Sequence, residues 1–145
     1  MRTLLAIAAA LALAGADATL SSASPASTVT LRAASSSYGR ILFDGRGFAL
    51  YGFTRDRPRT SRCYGDCAKA WPVYYAKGKL RAGAGVKQSL LGTTRRKDGR
   101  LQVTYAGRPL YYYEGDTKRG QVSCQNVDEF GGTWLVVRPN GRLVR

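Results

Sequence analysis

One stretch of eighteen residues occurs twice in this chain. Gly39 to Asp56 reads GRILFDGRGFALYGFTRD and Gly99 to Asp116 reads GRLQVTYAGRPLYYYEGD. The two align without a gap at a shift of sixty positions, with identity at Gly39/Gly99, Arg40/Arg100, Gly47/Gly107, Leu50/Leu110, Tyr51/Tyr111 and Asp56/Asp116. Ile41/Leu101, Phe43/Val103 and Phe53/Tyr113 are conservative pairs. A duplication of this length limits the fold to two copies of one small unit. Two copies are too few for an open solenoid, so each must cover the apolar face of the other.

The unit reads as β structure. Ile41 to Phe43 and Gly47 to Phe53 flank the turn pair Asp44-Gly45, Leu90 to Arg95 and Leu101 to Tyr105 flank Asp98-Gly99, and Thr133 to Val137 and Arg142 to Val144 flank Pro139-Asn140-Gly141. Three hairpins and little helical periodicity predict an all-β domain, a pseudo-two-fold compact sandwich or barrel. One helical turn is expected at Cys67 to Trp71, stopped by Pro72. Lys77 to Gly85, with its glycines and basic residues, reads as a mobile connection.

The N-terminus reads as a secretory signal peptide over residues 1–18: Arg2, an apolar run from Leu4 to Leu13, then small-x-small sites ending at Ala16 and Ala18. It is too short to span a bilayer, and no other run is apolar enough to do so. Residues 19–37 are rich in Ser, Ala and Thr and read as a flexible spacer. One β domain is expected over 38–145, with repeat one at about 39–76 and repeat two at about 99–137.

Each repeat ends in Tyr-x-aromatic-x-x-Asp. Strand alternation places Tyr51 and Phe53 on one face, and likewise Tyr111 and Tyr113. Asp56 and Asp116 fall just beyond, where a carboxylate accepts backbone N–H groups and fixes a turn. These six residues read mainly as scaffold, since both copies solve the same folding problem; an aromatic ligand face with a rim carboxylate is the alternative. Three cysteines leave one unpaired within the chain. A Cys63–Cys67 bridge closing a tight loop is expected, with Cys67–Cys124 as the alternative.

The chain carries 23 Lys plus Arg against 9 Asp plus Glu, a formal charge of +14, and no histidine. A chain this basic attracts polyanions or anionic surfaces. Arg55, Arg57, Arg59 and Arg62 follow the first motif, and Lys118 and Arg119 follow the second, so one candidate anionic-ligand rim is drawn from all six. Without histidine there is no Ser-His-Asp triad and no commonplace metal ligand. The carboxylates, set among so many cations, suit ion pairing better than general acid work. No metal, cofactor or catalytic residue is therefore expected. The predicted function is a non-enzymatic module for an anionic or aromatic ligand, its partner an anionic envelope polymer or lipid headgroups rather than nucleic acid. A structural or protein-interaction module and a redox-linked accessory protein using thiols or tyrosines are the alternatives.

Tyr51-Gly52-Phe53-Thr54-Arg55-Asp56 and Tyr111-Tyr112-Tyr113-Glu114-Gly115-Asp116 resemble the signature of a bacterial secreted-repeat family of unknown function, whose members are labelled as predicted lipoproteins with a Yx(F/W/Y)xxD motif. The run from Cys63 to Pro72 (CYGDCAKAWP) and that from Glu129 to Trp134 (EFGGTW) resemble further segments of it. The resemblance implies tandem repeats and an envelope location, and no established activity. Leu13-Ala14-Gly15 matches what precedes a lipobox cysteine, but position 16 is Ala. A secreted or periplasmic protein without a lipid anchor is therefore expected. Cys124 lies outside the shared pattern.

Overall fold

The structure, a computed structural model, describes residues 30–145. The signal-peptide reading and the first part of the spacer lie outside the described residues. The elements in order are β1 (Leu31–Ser36), β2 (Gly39–Asp44), β3 (Tyr51–Phe53), α1 (Asp66–Ala70), a 3-10 turn (Gln88–Leu90), β4 (Leu91–Arg95), β5 (Leu101–Tyr105), β6 (Arg108–Pro109), β7 (Val127–Glu129) and β8 (Gly132–Val136). They form three small antiparallel sheets, β1-β2, β3-β8-β7 and β4-β5-β6. The fold is all-β and compact, and it is not a closed barrel.

The duplication begins earlier than the aligned stretch. β1 pairs with β2 from Leu31↔Asp44 to Ser36↔Gly39, and β4 pairs with β5 from Leu91↔Tyr105 to Arg95↔Leu101. β1 and β4 therefore stand sixty positions apart, like the rest of the repeat. This corrects the reading of residues 30–37 as spacer. Leu31 and Ala33 are buried, so LRAASS alternates as a half-buried strand despite its small, polar composition. Only the alternation has to be kept there, which is why β1 and β4 share almost no sequence. Gly39 and Gly99 close the two hairpins with the same φ of 82°, a conformation that penalises any side chain with a Cβ.

The expected Asp44-Gly45 turn forms. The Asp44 carboxylate accepts N–H bonds from Arg46, Gly47 and Phe48 at 2.8 to 2.9 Å, and Phe43 bridges Ala49. The helical turn α1 forms where expected and stops at Trp71 before Pro72. The Pro139-Asn140-Gly141 hairpin also forms, with Arg138 donating to the Arg142 carbonyl at 2.8 Å. The 77–85 connection is tied down rather than loose at its far end. Thr30 donates to Arg81 O at 2.8 Å, Gly83 to Leu31 O at 2.7 Å and Ala33 to Ala84 O at 2.8 Å. The free edge of β1 supplies these partners, so the segment is held by pairing that its glycines do not advertise.

The strands that enter the centre are buried on both faces, and alternation sorts their side chains into two clusters. Ile41, Phe43, Ala49, Tyr51, Phe53, Trp71, Val73, Tyr111, Trp134 and Val136 pack with Cys63, Cys67 and Val144 in one. Leu31, Ala33, Leu42, Leu50, Val103, Tyr105, Leu110 and Val137 form the other. Both draw on both repeats, so neither copy has a complete core alone.

Candidate functional site

The two motifs meet at the pseudo-two-fold axis. Tyr51 and Tyr111 exchange both main-chain bonds, Tyr51 N to Tyr111 O at 2.8 Å and Tyr111 N to Tyr51 O at 3.0 Å. Their side chains then cross. Tyr51 Oη donates to Asp116 Oδ2 at 2.6 Å, and Tyr111 Oη donates to Asp56 Oδ2 at 2.7 Å. The second oxygen of each carboxylate accepts a loop N–H, from Ser123 at 2.9 Å and from Arg62 at 2.7 Å. Each aspartate thus fixes its own turn and clamps the tyrosine of the other copy. Burial pushes both phenols well above their usual range, and the neighbouring carboxylates add to it.

Four rings line up along the same axis, three of them stacked and the fourth, Tyr113, tilted by 41° against Trp71. Phe53 lies on Trp134 at 4.2 Å, Trp134 on Trp71 at 4.1 Å and 2°, and Trp71 on Tyr113 at 4.8 Å. Phe53 and Tyr113 are equivalent positions, as are the tryptophans, so each outer ring packs on the tryptophan of the other copy, Phe53 stacked and Tyr113 tilted. Tyr51 and Tyr111 meet Trp71 and Trp134 edge-on at 5.2 and 5.0 Å. Tyr51, Phe53, Tyr111 and both tryptophans are fully buried, while Tyr113 is only half-buried. The motif rings thus lie inside the molecule, apart from Tyr113 at one end.

The Asp56 carboxyl is held at about 6 against its usual 3.8. Burial is the larger cause. The Arg62 N–H, the Tyr111 hydroxyl and the charges of Arg96 and Arg108 pull the other way. The native state therefore grips this proton more tightly than the unfolded chain does. Its contribution to stability is whole below pH 3.8 and is lost as the pH rises through about 6. Carboxyl NMR titration should show this midpoint near 6, and Asp56→Asn should remove the corresponding fall in melting temperature. A midpoint near that of a free aspartate would contradict it.

Cys63 and Cys67 are disulfide-bonded, with Cα atoms 5.3 Å apart. The bridge straddles the start of α1 at Gly65, where the backbone is irregular enough to bring the two residues together. Cys124 is a free thiol, half-buried and beside Tyr113. The Cys67–Cys124 alternative is thereby excluded. A loop of about five residues gives a chain-entropy contribution of about 2 kcal/mol, so the Cys63→Ser/Cys67→Ser variant should lose about that much in urea unfolding. An unchanged midpoint would show that the loop is held by its neighbours alone.

The six rim residues do not line one edge. The motif strands run antiparallel through Tyr51 and Tyr111, so the segments that follow them leave in opposite directions. Arg59 N donates to Gly107 O at 2.7 Å on one side, and Gly120 N donates to Gly47 O at 2.9 Å on the other. Arg57 and Arg59 thus lie by the Gly107 turn, while Arg119 packs on Gly47 beside Arg32. Arg55 reaches across to Phe130 O at 2.9 Å. Because the motif strands cross antiparallel at the axis, the segments that follow them end at different turns, Gly107 and Gly47, and the six residues do not form a single rim.

Two arrangements were not foreseen. Arg96, one of a run of three basic residues, is 4 % exposed. Its guanidinium donates to Ser61 Oγ at 2.7 Å, Gln102 Oε1 at 2.9 Å and Cys63 O at 2.6 Å, and lies 4.2 Å from the Tyr64 ring centre. It latches the disulfide loop of repeat one to the second hairpin. The signal was the alternation of β4, which carries Thr94 and Arg96 inward and Arg95 outward. The second is a cleft of about 540 Å³ lined by Arg108, Arg138, Asn140, Arg142, Leu143 and Arg145. Its residues come from two segments thirty positions apart, and no local pattern joins them.

A family model described as a secreted repeat of unknown function matches the chain twice, over residues 32–74 and 92–138. No curated protein and no solved structure matches it. The matches begin inside β1 and β4, sixty positions apart, so the family's unit includes the first strand of each hairpin. They contain the crossed tyrosine–aspartate pairs and all four rings of the central row. With both copies matched over most of the folded chain, this protein belongs to that family of secreted repeats of unknown function.

Proposed function

We propose that this secreted-repeat protein is a non-catalytic binding module for an anionic ligand in the cell envelope, delivered there by the leader at residues 1–18. One observation carries the reading. Only Arg2 and Asp17 of the charged residues precede Thr30, so the folded part holds the whole positive excess. Among the described residues only two ion pairs form, Arg46–Asp44 and Lys69–Asp66, each at 2.9 Å. Five of the six other carboxylate side chains among the described residues do scaffold work, and Glu114 is exposed. Asp56 and Asp116 hold tyrosines, Glu129 accepts from Trp71 Nε1 at 2.9 Å, Asp128 accepts from Thr133 at 2.6 Å and Asp98 caps a turn. Most of the cations are thus left without a carboxylate partner, which suits an external polyanion. Burial of the motif rings favours an anionic over an aromatic ligand. With no histidine in the chain, no acid–base residue is assigned.

The test is retention on immobilised polyphosphate as a function of salt. Exposed charge interactions are screened beyond about 8 Å at physiological ionic strength, so retention should be strong at low salt and fall steeply as salt is raised. Absence of retention at low salt, or retention indifferent to salt, would refute the reading.

A further inference from the structure

The duplication supplies its own control. Residues the two copies share serve the fold that both must make, whereas residues that differ at equivalent positions are free of that demand. Position 48 in the first copy is Phe; its equivalent in the second is Arg108. Position 52 is Gly; its equivalent is Tyr112. These two differences meet. A Cβ on Gly52 would lie 2.6 Å from Arg108 Cδ and 2.8 Å from Leu143 Cδ2, so the bare backbone of Gly52 is the floor on which the Arg108 stem and Leu143 rest. Arg108 Nε donates to Gly141 O at 3.2 Å, which fixes the guanidinium against the last hairpin. That hairpin is closed by Arg138 N to Arg142 O and Gly141 N to Arg138 O, both at 2.8 Å, so Arg138 and Arg142 project from a braced turn. Arg145 completes the wall, and no carboxylate side chain lines the cleft among the described residues. Burial and the Arg145 charge both act against the Arg108 cation, with Asp56 opposing them.

Four arginines line one cleft, more cations than a single carboxylate would neutralise. Their planar forks match the oxygens of phosphate, to which each can donate two bonds. We propose that this cleft is the specific seat of the anionic ligand, and that its ligand class is one presenting two or more phosphate groups close together. The inference rests on the anion-binding reading above. The same phosphate chemistry has two sources in an envelope, a phosphate-bearing polymer and the headgroups of a phospholipid surface.

Titration of the full chain with inorganic tripolyphosphate tests it, beside citrate as a carboxylate of similar charge. Arg138→Ala/Arg142→Ala should weaken tripolyphosphate binding by about tenfold or more, the loss of two charge-assisted contacts. Lys79→Ala/Lys97→Ala removes the same charge outside the cleft and should stay within about twofold. Arg142→Lys keeps the charge and loses the fork, so it should fall between the two. Matching melting temperatures for all variants show that folding is not the cause. Equal losses in the cleft and control pairs overturn the cleft while leaving the general reading intact. So does a wild type retained on polyphosphate that does not bind tripolyphosphate. Citrate binding as tight as tripolyphosphate overturns the phosphate class. Failure of the wild type on polyphosphate at low salt overturns both. Vesicles of phosphatidylglycerol against soluble polyphosphate separate the sources, since the cleft variant should lose whichever one the site takes.

Discussion

Replacing Trp71 by Ala is expected to remove about a third or more of the domain's stability. The ring is fully buried, sandwiched between Trp134 at 4.1 Å and Tyr113 at 4.8 Å, and met edge-on by Tyr51 at 5.2 Å. Truncating a buried tryptophan costs about 3–5 kcal/mol, against a total stability of about 5–15 kcal/mol for a domain of this kind. The loss falls on both repeats at once, because the stack alternates between them. Trp71 also donates to Glu129 Oε2, whereas Trp134 Nε1 is buried without a partner. Trp71→Phe should therefore cost more than Trp134→Phe, by about the 0.5–1.5 kcal/mol net worth of one hydrogen bond, since Glu129 is exposed and water can replace the lost donor. Urea unfolding followed by far-ultraviolet circular dichroism measures all three. A Trp71→Ala midpoint close to wild type would mean that the ring stack is not the centre of the fold.

The second large effect is expected at Asp116. Asp116→Ala strands the fully buried Tyr51 hydroxyl and frees Ser123 N, so about 2–4 kcal/mol should be lost. Tyr51→Phe removes the donor while leaving the carboxylate its loop N–H, and should cost about 1–2 kcal/mol. The Asp116→Ala/Tyr51→Phe double variant should be less destabilised than the sum, by a coupling of about 1 kcal/mol or more. Additive losses would show that the pair does not act as a unit. An Asp116→Ala variant that melts like wild type and yet loses polyphosphate retention would overturn the scaffold role of the motif.

The hairpins were readable because their turns carry their own chemistry. Gly99 and Gly141 adopt φ values of 82° and 84° that few other residues tolerate, and the Asp44 carboxylate ties its own turn by accepting three N–H groups. β1 was not readable, because Leu31-Arg32-Ala33-Ala34-Ser35-Ser36 carries neither β-branched residues nor a large apolar face. Its pairing comes from β2 on one side and residues 81–84 on the other. The tyrosine–aspartate motif announced a shared structural task, yet nothing in it shows that each aspartate serves the tyrosine of the other copy. That follows only when two antiparallel strands meet at a two-fold axis.

The basic residues mark the same boundary. Composition establishes the charge, since a count needs no geometry. Placement needs the folded chain. Arg96 goes inside because β4 alternates, Arg57 and Lys118 part company because the motif strands cross antiparallel and the segments after them end at different turns, and Arg108 joins Arg138 and Arg142 because Gly52 offers no side chain to keep them apart. The sequence by itself determined the duplication, the β class, the charge and the turns, all of which depend on residues near one another. The crossed clamps, the ring stack and the arginine cleft were decided by tertiary structure, because each joins residues whose proximity comes from how one repeat covers the other.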